Sequence, residues 1–186
     1  MYVISQVRPC RLSGYKAVLA SLTGAALTAA CAQIAFYLPG KPVPITMQVF
    51  AVLCCSFLLG GRYAAVAQIE FLTAGLLGAP VFAGFRAGPA ALAGPTGGYL
   101  VGFVAAAFVA GLFFETARHK TFTTACVAGL LGVAVIYVFG VSYLALWQGS
   151  RLPGLAAWLT GVVPFVGVDA AKVALAAAVC VGRRYD

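Results

Sequence analysis

Apolar runs long enough to cross a bilayer follow one another along this chain, separated by short breaks containing Pro, Gly or a few charges. A transmembrane helix needs about 20 such residues to span the hydrocarbon core. Composition points the same way. Of 186 residues, 63% are hydrophobic and 9% are charged, whereas a soluble domain carries about 25% charged residues to cover its surface. With a mean hydropathy of +1.02, the chain reads as an integral, all-α membrane protein.

Six spans are predicted, at about 17–38, 45–59, 63–82, 96–114, 122–147 and 155–181, forming one membrane domain over residues 1–186. The cluster PGKPVP ends the first, because proline cannot continue a helix. GGR separates the second from the third, and Pro164 and Gly167 are expected to interrupt the sixth. AGFRAGPAALAGP, between spans three and four, is too rich in Gly and Pro for a stable helix and too apolar for an ordinary wet loop.

Basic residues mostly flank the spans and report orientation. Arg8, Arg11, Lys16, Arg62, Arg118, Lys120, Arg183 and Arg184 fall on one side, with Lys41, Arg86 and Arg151 on the other. Both termini are therefore expected in the cytoplasm, and the Gly-rich loop on the non-cytoplasmic side. The connections are short, so no cytoplasmic ATPase domain is expected, and uphill transport would draw on a partner or an ion gradient. Arg8 to Cys31 resembles a signal peptide or lipoprotein leader, but the apolar run continues to Leu38, favouring a retained helix.

Net charge is +8, but no basic stripe is interleaved with exposed aromatics, so a nucleic-acid partner is not expected. The cysteines (Cys10, Cys31, Cys54, Cys55, Cys126, Cys180) form no metal-binding spacing and read as small buried hydrophobes. No metal site is expected, and the sequence contains no HExxH, GxSxG or P-loop. His119, in the turn ARHK, has no positioned acid or nucleophile beside it, so no catalytic residue is assigned.

The costly residues lie inside the spans. A charge at the centre of a transmembrane helix costs about 2.5–3.5 kcal/mol on insertion scales, and FVGVDAAKVALAAAVCVG carries Asp169 and Lys172. Three residues apart, they share a helical face and either lock packing as an ion pair or bind a polar ligand. Arg86, in the Gly-rich loop, can clamp a carboxylate in fork geometry or simply snorkel to the interface. Gln48 and Thr46 sit at a helix start, Gln33 near the outer end of span one, and Tyr99 is an interfacial anchor or a stacking surface. Glu70 and Gln68 lie near the middle of span three, serving structure or ligand equally well. GAALTAACA offers two small-residue ridges, Ala25/Ala29 and Ala26/Ala30, that let another helix approach closely.

Several motifs occur together in a familiar order: PVPITMQVFAVLCCSFLLGGR, GLLGAPVFAGFRAG, GPTGGYLVGF and the late DAAK. Over roughly residues 25–172 the chain resembles the BioY family, the biotin-specific S components of energy-coupling-factor (ECF) transporters. That resemblance implies capture of biotin from outside, with a transmembrane coupling subunit and two ABC-type ATPases supplying the drive, although some relatives are thought to act without them. It places ligand-binding roles on Arg86, Asp169 and Lys172, with Tyr99 and Gln48 as further candidates. The coupling subunit is expected at Ala25 and Ala29, with biotin as cargo and no resident cofactor. Phe85 stands where the family often has glycine. Other readings are an S component for another vitamin, a solitary proton-coupled carrier using Glu70 or Asp169, a lipid-modifying enzyme using Glu115 and His119, or a purely structural protein.

Overall fold

A computed structural model of the chain describes residues 14–149 and 161–182. Helices dominate: α1 (Tyr15–Ala32), α2 (Gln48–Leu76), the short α3 (Pro89–Ala93), α4 (Gly97–Thr116), α5 (Phe122–Gln148) and α6 (Val163–Gly182). A two-stranded antiparallel ribbon, β1 (Ala35–Phe36) and β2 (Ile45–Thr46), joins α1 to α2, pairing Ala35 with Thr46 and Phe36 with Ile45. Among the described residues, five helices are long and apolar enough to cross a membrane: α1, α2, α4, α5 and α6.

The regions expected as spans two and three lie largely within α2, which is broken at Gly60 (φ 80°, ψ 170°), where the backbone leaves helical geometry. In a continuous helix Cys55 and Ala67 would stand about 18 Å apart. Both instead come within 3.0 Å of the position a Cβ on Gly24 would take. The two halves of α2 therefore fold back on each other. Glycine suits the turn because its positive φ is strained for any residue with a Cβ, and a Cβ there would also strike the Glu115 carboxylate.

Other boundaries also shift. The first helix ends at Ala32, because the apolar residues that follow turn into the ribbon. The third predicted span stops at Leu76, where left-handed Gly78 and then Pro80 end the helix. The Gly-rich loop is not wholly irregular. It contains α3, started by a proline in the first helical turn, where the missing N–H costs nothing. Residues 155–160 of the predicted sixth span lie outside the described residues. α6 takes Pro164 into its first turn and continues past Gly167 without a break.

Small residues set how closely the helices pack. Gly61 and Gly111 bring α2 and α4 into backbone contact, and Gly129 and Gly132 admit Val173 and Leu53 against α5. Ala64, Ala67, Ala106, Ala107, Ala110, Ala125, Ala128, Ala176 and Ala177 are fully buried. Such surfaces suit a bilayer, where tight van der Waals contact rather than water exclusion holds helices together.

Candidate ligand-binding site

The end of the bundle that carries the ribbon and the Gly-rich segment is hollow. A cavity opens there, lined by residues from the ribbon, α2, the 82–91 segment, α4, α5 and α6. Arg86, Asp169, Lys172, Tyr99 and Gln48 all line it, although they lie as far apart in sequence as Gln48 and Lys172. The structure thus brings together every residue expected from the sequence to contact a ligand.

Asp169 and Lys172 occupy one face of α6, with Lys172 Nζ 2.7 Å from Asp169 Oδ1. Both are buried, at 3% and 4% exposure. A third member was not expected from the sequence. Tyr137, on α5, donates its hydroxyl to Asp169 Oδ2 at 2.8 Å and also lines the cavity. Each carboxylate oxygen therefore has one donor and keeps lone-pair capacity toward the cavity. The only clue to Tyr137 was a phenol in the middle of an otherwise apolar run.

Gln48 stands at the first position of α2, and its side-chain oxygen lies 3.0 Å from Thr46 Oγ1. Its Nε2 is buried without a partner among the described residues, so both amide N–H donors remain for whatever fills the cavity. Tyr99 is not an interfacial anchor: it is buried, and its hydroxyl donates to the Gly161 carbonyl at 2.9 Å. That bond ties α4 to the start of α6 and presents the ring to the cavity. A Cβ on Gly140 would strike this ring, so α5 can pass Tyr99 only as glycine.

Arg86 is exposed at the cavity mouth. Its backbone bridges Phe82, and its Nε donates to the Ala83 carbonyl at 3.0 Å. The terminal nitrogens make no hydrogen bond among the described residues, which leaves the fork available. The charged lining residues are Arg86, Lys172 and Asp169, two cations against one anion, so the cavity favours a ligand bearing one negative charge.

Other singled-out residues fall elsewhere. Glu70 Oε1 accepts from Ser21 Oγ at 2.8 Å, and Gln68 Nε2 donates to Thr28 Oγ1 at 3.2 Å, both across the seam between α1 and α2. Neither Glu70 nor Gln68 lines the cavity. Ala25, expected at a partner contact, is 8% exposed and packs into the core, with Ala29 partly buried against it, because this edge of α1 faces α2. The outward small residues are Ala26 and Ala30.

Comparison with known proteins gives the chain's family and fold. The BioY family model matches residues 6–185. The biotin transporter BioY of Thermotoga maritima is 39% identical over 140 residues, covering 75% of this chain and 80% of that protein. A probable biotin transporter BioY of Pyrococcus horikoshii is 39% identical over 151 residues, covering 81% and 85%. The fold matches the crystal structure of the S-component for biotin from an ECF-type ABC transporter, with a TM-score of 0.81, 24% identity and 92% of each chain covered. The chain belongs to the BioY family.

Proposed function

We propose that this chain captures biotin from the non-cytoplasmic side of the cell membrane as the S component of an ECF-type transporter. The observation that carries the reading is a buried Asp169–Lys172 pair facing a cavity whose mouth holds Arg86. Biotin is neutral and polar at its ureido end, apolar through its thiophane ring and valeryl chain, and anionic at its carboxylate. Asp169 accepts from the ureido N–H groups, and Lys172 donates to the ureido oxygen while neutralising Asp169. The Gln48 amide supplies a further donor, Arg86 takes the carboxylate, and Tyr99 packs beside the apolar middle.

Charge distribution supports the orientation. Arg62 and Lys120 lie at the end marked by the Gly60 turn and Glu115, opposite the cavity, with Arg118 in the same connection as Lys120. Under the positive-inside rule that end is cytoplasmic, so the cavity opens outward. With α2 folded back at Gly60, the chain crosses six times as one membrane domain, with both termini inside and the Gly-rich segment outside. A transmembrane coupling subunit and ABC-type ATPases are the partners of this reading, with the exposed Ala26/Ala30 ridge of α1 as a contact surface.

The test is binding of radiolabelled biotin to purified protein. Wild type should saturate at one biotin per chain, while Asp169→Asn should lose binding yet remain inserted and monodisperse, and Lys172→Ala should lose binding and melt at a lower temperature. Normal binding by both variants would remove the site. Uptake in cells that lack other biotin transport, with and without an uncoupler, separates an energised S component from a proton-coupled carrier.

A further inference from the structure

Arg86 reaches the cavity from a segment, residues 81–86, that contains no helix. We propose that Gln33, at the C-terminal cap of α1, is a positioning residue for Arg86. Its carboxamide fixes that segment in the shape that aims the guanidinium at the cavity. The inference rests on the reading of the cavity as a biotin site.

The contacts converge on one side chain. Gln33 Nε2 lies 3.4 Å from the Val81 carbonyl oxygen, 3.3 Å from that of Phe82 and 3.3 Å from that of Ala29. Its Oε1 accepts from the Phe85 N–H at 3.1 Å. A single amide thus joins its own helix to three points on the stretch leading into Arg86. Gln33 does not itself line the cavity, so any effect on a ligand passes through that stretch.

Phe85 shows why the segment needs holding. Its φ of 56° is the sole positive value at a non-glycine residue among the described residues. Glycine takes this left-handed conformation freely, whereas a phenylalanine stays there only when its surroundings impose it. The ring is 70% exposed, so its packing does not impose it. The Gln33 bond to the Phe85 N–H does. Beyond that residue, the Phe82 N–H to Arg86 carbonyl bond (3.1 Å) and the Arg86 Nε to Ala83 carbonyl bond (3.0 Å) carry the fixed geometry to the guanidinium.

The experiment uses the full chain in detergent and reads biotin Kd together with amide hydrogen exchange at Phe82 and Phe85. Gln33→Ala should weaken biotin about tenfold, the scale of one or two lost neutral hydrogen bonds, and should speed exchange at both amides without ligand. In an Arg86→Ala background the same change should add no more than about twofold, because the two residues act on one path. Phe85→Gly should restore most of the affinity lost in Gln33→Ala. The near-isosteric Gln33→Met repeats the test if the alanine variant folds poorly. Unchanged Kd and exchange would overturn the proposal, and so would an equal loss of affinity in the Arg86→Ala background. If wild type takes up no biotin, the ligand assignment falls, while exchange at Phe85 still decides whether Gln33 holds the segment.

Discussion

Removing the Lys172 ammonium while keeping Asp169 should damage stability and binding together; removing both charges should restore only stability. At 2.7 Å the pair attracts by about 6 kcal/mol at an effective dielectric near 20. Withdrawing two ions from water costs several kcal/mol each, so the attraction at best offsets the desolvation and the pair contributes little net stability. Lys172→Met leaves Asp169 buried with Tyr137 as its hydrogen-bond donor and no countercharge. Such orphaned charges cost about 3–5 kcal/mol, or about 6–20 °C in unfolding midpoint for a chain of this size.

The double variant Asp169→Leu/Lys172→Met exchanges the pair for apolar groups of similar volume. It should melt within a few degrees of wild type, since such replacements are often neutral or stabilising. It should nevertheless bind no biotin, having lost both proposed ureido partners. Melting is followed by loss of monodisperse protein on heating in detergent, and binding by labelled biotin. A double variant as unstable as the single one would refute the reasoning, by showing that the charges hold the bundle together. Retained binding in the double variant would refute it equally.

Four further outcomes follow from the geometry. Tyr137→Phe removes one bond to a charged acceptor, worth about 1.5–3 kcal/mol, and should weaken biotin about 10- to 100-fold; a Kd close to wild type would mean that Asp169 needs no alignment. Gly140→Ala drives a methyl into the Tyr99 ring and should cost about 1–3 kcal/mol as an overpacked core, visible as a lowered melting point with weaker binding. Ala26→Leu should leave biotin affinity intact and reduce copurification of the coupling subunit, whereas Ala25→Leu should destabilise the isolated chain; the reverse pattern would contradict the burial of Ala25. Arg86→Ala should slow biotin association and remove much of its salt dependence, because an exposed charge at a mouth steers encounter, and should also speed dissociation, because the carboxylate loses its charged partner; unchanged association and dissociation rates would remove Arg86 from the site.

Much of this site was legible because hydrocarbon makes polar residues costly. Asp169, Lys172 and Arg86 stand out in an apolar sequence, and a spacing of three assigns the pair to one face before any coordinates. Tyr137 did not stand out: a phenol costs little in a membrane, and its value depends on α5 meeting α6 at Asp169. The side of α1 that faces inward was equally hidden. Ala25 and Ala26 are chemically identical, and only the packing of α2 separates them. Helix ends were misplaced for a related reason. Residues 34–38 and 77–82 remain mostly apolar after their helices end, so hydropathy runs on while the backbone turns into the ribbon or the segment leading to Arg86.

The two polar ends of the proposed ligand meet parts of the fold held in different ways. Asp169 and Lys172 sit on a helix whose neighbours Val173, Ala176 and Ala177 are buried against the bundle, with Tyr137 bracing the carboxylate from α5. Little about that end can move without repacking the core. Arg86 lies on an exposed turn fixed by backbone bridges and by one glutamine from α1. α1 is also the least enclosed of the long helices described. A partner pressing on α1 would therefore reach Arg86 through Gln33, and the ribbon through the chain itself, before disturbing the buried pair. In the proposed complex, holding the ureido end rigidly and the carboxylate end through α1 would give the site a mouth that responds to a partner and a floor that keeps its specificity.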